Sequence, residues 1–552
     1  MGHFLRDHNY KATKHVSTNL VLATMVLMTS VFAYGFENSV LSTVQAMNAY
    51  ERIFGEYNAK TKKYEFTVDH LAYLNAFPLV AYAFGVIIFS QVGERFGRRA
   101  VFYSMNCICI IGVAICYAGR SYAWALAGRI IINLHVGAEA WLVPMWLAEI
   151  VPAAVRGSMV AIYAFSHVLA GFIAAVITNS TSKLHGDDSW KIPIAIMFAF
   201  PALALSLAWL LPESPRWLLR QGKFEQAVES LYYIHGADKA YPAEQEAQLL
   251  KDTIDNAPTK GSWGELFRGI NKRRTFGGLV AAGANQLTGQ AFASTYGTVF
   301  LKQINVMDPF TGTLIKRAGL LGGCIFVITL VEKIGRRRVG LVVGTATAAV
   351  LMIMGGLGTV ANPAKSVQHG ILAMSIIFPC VYMIAFGSTM TVIKAEIPHT
   401  SLRDKSNMLF WTVSNLCNIL VTFTLPYLLK APYANLGSKV GFVFGCISVV
   451  FLVLIFFLVP EMTGKYVPPS VWMLPCGKNT ILLIISFRSL EEVDEMFEKR
   501  VPAWRSRGFQ ATGIAAAVTD LENDHATTSD VDGKLGSAER LEDPRSSNKG
   551  SP

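Results

Sequence analysis

Charge is scarce in this sequence. Of 552 residues only 16% are Asp, Glu, Lys or Arg, against 52% that are apolar, and mean hydropathy is +0.38. That balance excludes an ordinary soluble domain, which could not hide so much apolar surface from water. A bilayer is the solvent that fits. Cysteine motifs are missing too: Cys107, Cys109, Cys116, Cys324, Cys380, Cys417 and Cys446 fall inside apolar runs, and none makes a Cys-x-x-Cys pair or a Cys/His cluster by spacing. They read as small packing residues, and no metal site is expected. No phosphate-binding Gly loop or nucleophile constellation lies outside the apolar runs, which argues against an enzyme and against a cofactor. No small-residue cleavage site follows the first apolar stretch, about Leu20 to Phe36, so it reads as an uncleaved span despite Arg6, Lys11 and Lys14 before it. The net charge of +11 resides in short Lys/Arg clusters between apolar runs. A nucleic-acid binder would instead carry one basic stripe with interleaved aromatics.

What is present is a series of twelve apolar stretches long enough to cross roughly 30 Å of hydrocarbon as helices. They centre near residues 28, 82, 109, 135, 168, 200, 287, 321, 349, 381, 418 and 449. The resulting division is a cytosolic N-terminus at 1–17, a six-helix half at 18–211, a mixed-charge cytosolic linker with short helices at 212–275, and a second six-helix half at 276–465. An atypical insert at 466–488 and a polar cytosolic tail at 489–552 complete the chain. Arg95, Arg98 and Arg99 after the second stretch, and Lys333, Arg336, Arg337 and Arg338 after the eighth, mark the cytosolic face.

The halves repeat one another. Glu94-Arg95-Phe96-Gly97-Arg98-Arg99 returns as Glu332-Lys333-Ile334-Gly335-Arg336-Arg337. Glu149-Ile150-Val151-Pro152 with Arg156 returns as Glu396-Ile397-Pro398 with Arg403, seven residues from Glu to Arg in both. Such a parallel repeat places a solute site near the midplane, between the halves.

Further motifs join these: Gly128-Arg129, Pro212-Glu213-Ser214-Pro215-Arg216-Trp217-Leu218, and Asn285-Gln286-Leu287-Thr288-Gly289. Together they make the chain resemble, to about Lys499, the sugar porter family of the major facilitator superfamily, in its fungal type. The resemblance implies an all-α membrane protein with twelve transmembrane helices in two pseudo-symmetric six-helix halves. It implies a secondary active transporter of a sugar or polyol, working by proton symport with alternating access in the plasma membrane. Its partners would be that solute, the proton and the lipid bilayer, with no nucleic acid. The alternatives are a uniporter, a carrier of a non-sugar such as quinate, and a non-transporting nutrient receptor. Receptors of that kind usually carry long signalling tails, whereas the polar tail here is about 45 residues.

The resemblance also implies roles. Glu94, Arg98, Glu149, Arg156, Glu213, Arg216, Glu332, Arg336, Glu396, Arg403 and Glu461 would form a cytosolic gate of paired charges. Glu37 stands where proton-coupled relatives usually carry Asp, and as a carboxylate at membrane depth it is expected to pair with Arg129 and carry the proton. Asn285, Gln286, Gln290, Tyr296 and Asn415 would bind the solute through amides, hydroxyl and ring. Departures stand beside these: Asn285 and Ala291 replace a Gln and an Asn, Ala164 a Gln, and Thr391 a Trp. Glu139 can face a cavity or bond a neighbouring helix, and His135 and His167 can be core histidines. Finally, Pro460-Glu461-Met462-Thr463-Gly464-Lys465 is cut off from Ser489-Leu490-Glu491-Glu492, which the family joins directly, so 466–488 reads as a retained intron.

Overall fold

The computed structural model describes residues 17–59, 62–151, 153–235, 242–255, 261–331, 334–399, 402–461, 463–466, 485–487, 496–497, 499, 501–503 and 506; for 153–161, 253, 330–331, 463–466 and 485–487 it describes the backbone alone. Among these residues eleven helices are long and apolar enough to cross a membrane. Spans one to six are Thr18–Val44, Val68–Phe96, Arg98–Ala118, Tyr122–Ile150, Ala153–Thr181 and Asp188–Leu210. Spans eight to twelve are Pro309–Thr329, Arg336–Leu357, Lys365–Glu396, Arg403–Leu429 and Gly437–Leu458.

Span seven is different. It is a succession of three helices, Asn271–Leu287, Gln290–Ser294 and Gly297–Ile304, and its longest piece has only 17 residues. Gly289, at φ +107°, is in the left-handed region that an L side chain rarely adopts, and there the first piece ends. With span seven the protein is a twelve-span, all-α membrane fold.

Local chemistry sets the helix starts. The Ser17 hydroxyl accepts from the Leu20 N–H, and the Thr67 hydroxyl from the His70 N–H. The Asp308 carboxylate does the same for Thr311, with Pro309 in the first turn. Within the first half, span four packs on spans two and three, and span one on span five. In the second, span nine packs on ten and twelve, and span seven on eleven. Span five meets span eight and span two meets span eleven, so these pairs hold the halves together.

Short helices Pro215–Arg220, Phe224–Ile234 and Ala243–Asp255 lie between spans six and seven and pack on one another. Thr463 pairs with Phe487 and Tyr466 with Ile485 in a small antiparallel ladder, so the chain leaves and returns at one place. Most of the insert expected at 466–488 lies outside the described residues.

Candidate functional site

At the span ends that the charge pattern marks as cytosolic, the repeated motifs build two matching knots. In the first half, Arg98 grips Glu149 with two bonds, Nε at 3.0 Å and Nη2 at 2.9 Å, and its Nη1 donates to the Gly93 carbonyl. Glu213 receives the backbone N–H groups of Arg98 and Arg99 at 2.9 and 3.2 Å, so a carboxylate caps the exposed donors at the start of span three. In the second half Arg336 bonds Glu396 at 2.9 Å, and Glu461 receives the Arg337 N–H at 3.3 Å at the start of span nine.

Glycine makes both turns possible. Gly97 and Gly335 have φ of +94° and +102°, and an added Cβ would lie 2.7 Å from Glu213 Oε2 or 2.8 Å from Glu461 Oε2. Each of these two ion pairs lies within one half. Three of the expected gate residues act otherwise than as paired charges. Glu94 is used through its carbonyl, which accepts from Trp217 Nε1 and Gln221 Nε2, while its side chain is exposed. Arg216 is exposed, and Arg403 donates to the Ala395 carbonyl. The Arg156 side chain and Glu332 lie outside the described residues.

Between the halves lies a cavity of about 470 Å³, inside the usual range of ~300–1,000 Å³ for small-molecule sites. Asn285, Gln286, Gln290 and Asn415 are on its wall. Asn285 is held in place by its side-chain donors, which reach the carbonyls of Phe386 and Gly387 at 2.8 and 2.9 Å. Gln286 donates to Asn285 Oδ1 at 2.7 Å, which leaves its Oε1 without a partner. That oxygen is buried, so a solute hydroxyl would reach it once the Gln286 side chain turns towards the cavity.

Trp411 on span eleven, tilted against Tyr82 at 5.6 Å between ring centroids, gives the wall the aromatic face that Thr391 does not. Arg317 and Lys394 also reach this wall. Sequence reasoning missed all three. For the two cations the signal was present, since a charged residue within an apolar span needs a reason.

Tyr296 is not on the wall. The break at Gly289 turns the chain so that its ring is fully buried, with its hydroxyl donating to the Thr422 carbonyl at 2.8 Å. That bond lies within the second half; a longer one of 3.4 Å to the Leu71 carbonyl of span two joins Tyr296 to an outer seal that ties the halves together. Gln45 donates to the Thr295 carbonyl, Lys302 pairs with Glu51 at 2.6 Å, and Tyr427 donates to Asp69 at 2.7 Å. Burial raises the Glu51 carboxyl above its ordinary value although Lys302 pulls it down, so acid weakens this tie early.

The expected Glu37–Arg129 pair is not formed. Arg129 lines the cavity, donating to Asn75 Oδ1 at 3.3 Å and to the Leu41 carbonyl, one turn beyond Glu37 on span one. A carbonyl at that level takes the guanidinium that the carboxylate was expected to hold. Glu37 lies behind the wall, where its Oε1 accepts from the Cys109 thiol at 2.8 Å and its Oε2 has no partner. His135, whose Nδ1 contacts the Met105 carbonyl at 3.1 Å, lies beside them with Nε2 unpartnered. Donor atoms of Glu37, Cys109 and His135 lie within 4.8 Å of one another, a ligand set that spacing did not reveal. A metal there would have to displace the thiol proton that Cys109 gives to Glu37. Glu139 accepts from Tyr163 at 3.4 Å, with its other oxygen unpartnered.

Two six-span halves around a central polar cavity define a membrane transporter of the major facilitator kind. The comparisons make this specific: the family model described as sugar (and other) transporter matches residues 22–468, and the chain belongs to that family. It is a multi-pass membrane protein and a transporter rather than an enzyme. It is 28% identical to a galactose transporter of Saccharomyces cerevisiae, over 89% of this chain and 83% of that one. It is 26% identical to a high-affinity glucose transporter of Schizosaccharomyces pombe, over 89% of both. Its fold matches the xylose transporter of E. coli in an inward open conformation at a TM-score of 0.66, with 21% identity, over 81% of this chain and 98% of that one.

Proposed function

We propose that this protein is a secondary active transporter that carries a polyhydroxylated solute of the sugar or polyol class across the plasma membrane by proton symport. The observation that carries this reading is a cavity between the halves whose wall bears amide groups and an aromatic face, with a carboxylate that has one unpartnered oxygen behind it. The relatives named as galactose and glucose transporters support the solute class.

Glu37 takes up and releases the coupling proton. An unpaired carboxylate in an apolar surround is disfavoured as an anion, and neutralising it removes that penalty. Tyr34, Gly35, Asn38 and Leu41 of the same helix form part of the wall, so a change at Glu37 is felt where the solute sits. The outer seal joins the halves, while the Arg98–Glu149 and Arg336–Glu396 pairs each lie within one half, an arrangement that suits access from the cytosol.

The test is uptake of labelled hexoses, pentoses and polyols by transporter-deficient cells, with and without a protonophore, for the parent chain and Glu37→Gln. Collapse under the protonophore and in Glu37→Gln is the expected result. The open separation of Glu37 from Arg129 favours one second reading, a uniporter in which Glu37 is structural. Uptake indifferent to both treatments would establish it.

A further inference from the structure

We infer that the solute is an anion: a polyhydroxylated monocarboxylate, of the aldonic, uronic or hydroxylated cyclic acid class, whose carboxylate sits against Arg317, with Lys394 adding a second free cation elsewhere on the same wall. This deepens the symport reading and rests on it. Three cations, Arg129, Arg317 and Lys394, line the central cavity, and no Asp or Glu is among its described lining residues. A neutral sugar needs amides and rings, which this wall has, but gives no reason for uncompensated charge at membrane depth.

The three cations are not equivalent. Arg129 is engaged by Asn75 and the Leu41 carbonyl. Lys394, on span ten, has one long bond of 3.3 Å to the Ser414 hydroxyl and keeps donors free. Arg317, on span eight, makes no ion pair or hydrogen bond with the described residues. Its guanidinium lies at the meeting of spans eight and five, with Nη1 3.4 Å from where a Cβ on Gly171 would be. The neighbouring Lys316 is buried, 5.9 Å from the Phe292 ring centroid, and makes no ion pair with the described residues.

Charges buried without counter-ions are strongly disfavoured, and an incoming carboxylate offsets them while using a guanidinium fork suited to it. Amides on the same wall, Gln286 with its unpartnered oxygen among them, then take the hydroxyls. One consequence separates an anion from a neutral sugar. A proton moving with a monoanion carries no net charge, whereas a proton moving with a neutral sugar carries one.

The experiment uses full-length protein in proteoliposomes, with labelled D-galacturonate, D-gluconate and quinate as acids, D-galactose as neutral sugar, and the methyl ester of D-galacturonate as competitor. Uptake of at least one acid should follow a pH gradient and ignore a potassium diffusion potential. Arg317→Gln should shift preference from the acid towards its ester by about ten-fold, the loss of one charge-assisted bond, Lys394→Gln should shift it in the same direction but less, and Lys394→Arg should retain it. Transport of D-galactose without any acid, or an acid-to-ester preference untouched in both Gln variants, overturns the anion while leaving the symport reading in place. Transport of none of these probes by protein that unfolds cooperatively on heating overturns both.

Discussion

The two halves are alike at the cytosolic rim and unlike inside. Arg98 with Glu149 and Arg336 with Glu396 are the same ion pair made twice at 2.9 Å, each behind a glycine of positive φ and a capping carboxylate. In the interior the first half holds Glu37, Glu139 and His135, acids and imidazole with oxygen or nitrogen atoms left unpaired. The second holds Asn285, Gln286, Gln290, Arg317, Lys394 and Asn415, which face the cavity. The rim must perform the same mechanical act in each half, so its chemistry is fixed by geometry. The interior is free to diverge, and on the proposed function the divergence would give the proton to the first half and most of the solute's partners to the second, beside Arg129 and Asn133 of the first.

The comparison can be broken first at the rim. Arg98 and Glu149 side chains are only 2% and 9% exposed, whereas Glu396 in the second pair is 29% exposed. Arg98→Gln leaves a buried carboxylate unpaired, at about 3–5 kcal/mol, and should lower the thermal stability of the purified protein more than Arg336→Gln does. Equal losses would show that burial does not distinguish the knots. Next in size is Gln286→Ala. Losing one neutral hydrogen bond to a solute hydroxyl should raise the uptake KM several-fold, about 1 kcal/mol, with little change in the steady accumulation ratio. The smallest effect belongs to the outer seal. Tyr296→Phe removes the hydroxyl's long bond across the halves to the Leu71 carbonyl together with its bond to Thr422, at about 1 kcal/mol or less, and should speed labelling from outside of a cysteine placed at Asn418 on the cavity wall.

How far the sequence foretold this depends on whether a feature is local or a matter of helix rotation. Apolar runs and the Glu-x-x-Gly-Arg-Arg repeat carry their structural meaning within a few residues, so the spans and the rim were legible. Which side of a span faces the cavity was less so. Asn285, Gln286, Gln290 and Asn415 are on the wall, but Tyr296 follows the break at Gly289 and was turned into the outer seal. Trp411, Arg317 and Lys394 reach the wall through rotations that no motif encodes. The Glu37–Arg129 pairing failed because a backbone carbonyl, invisible to side-chain reasoning, competes for the guanidinium.

The division of labour between the halves is tested most directly in proteoliposomes that hold the parent, Glu37→Gln or Gln286→Ala. Accumulation driven by a pH gradient and solute exchange without a gradient are measured on the same preparations. The account predicts that Glu37→Gln abolishes accumulation yet exchanges solute with nearly the parent KM, while Gln286→Ala still accumulates but with a raised KM in both assays. Loss of exchange in Glu37→Gln, or accumulation that survives in it, would contradict the assignment of the proton to the first half and the solute to the second.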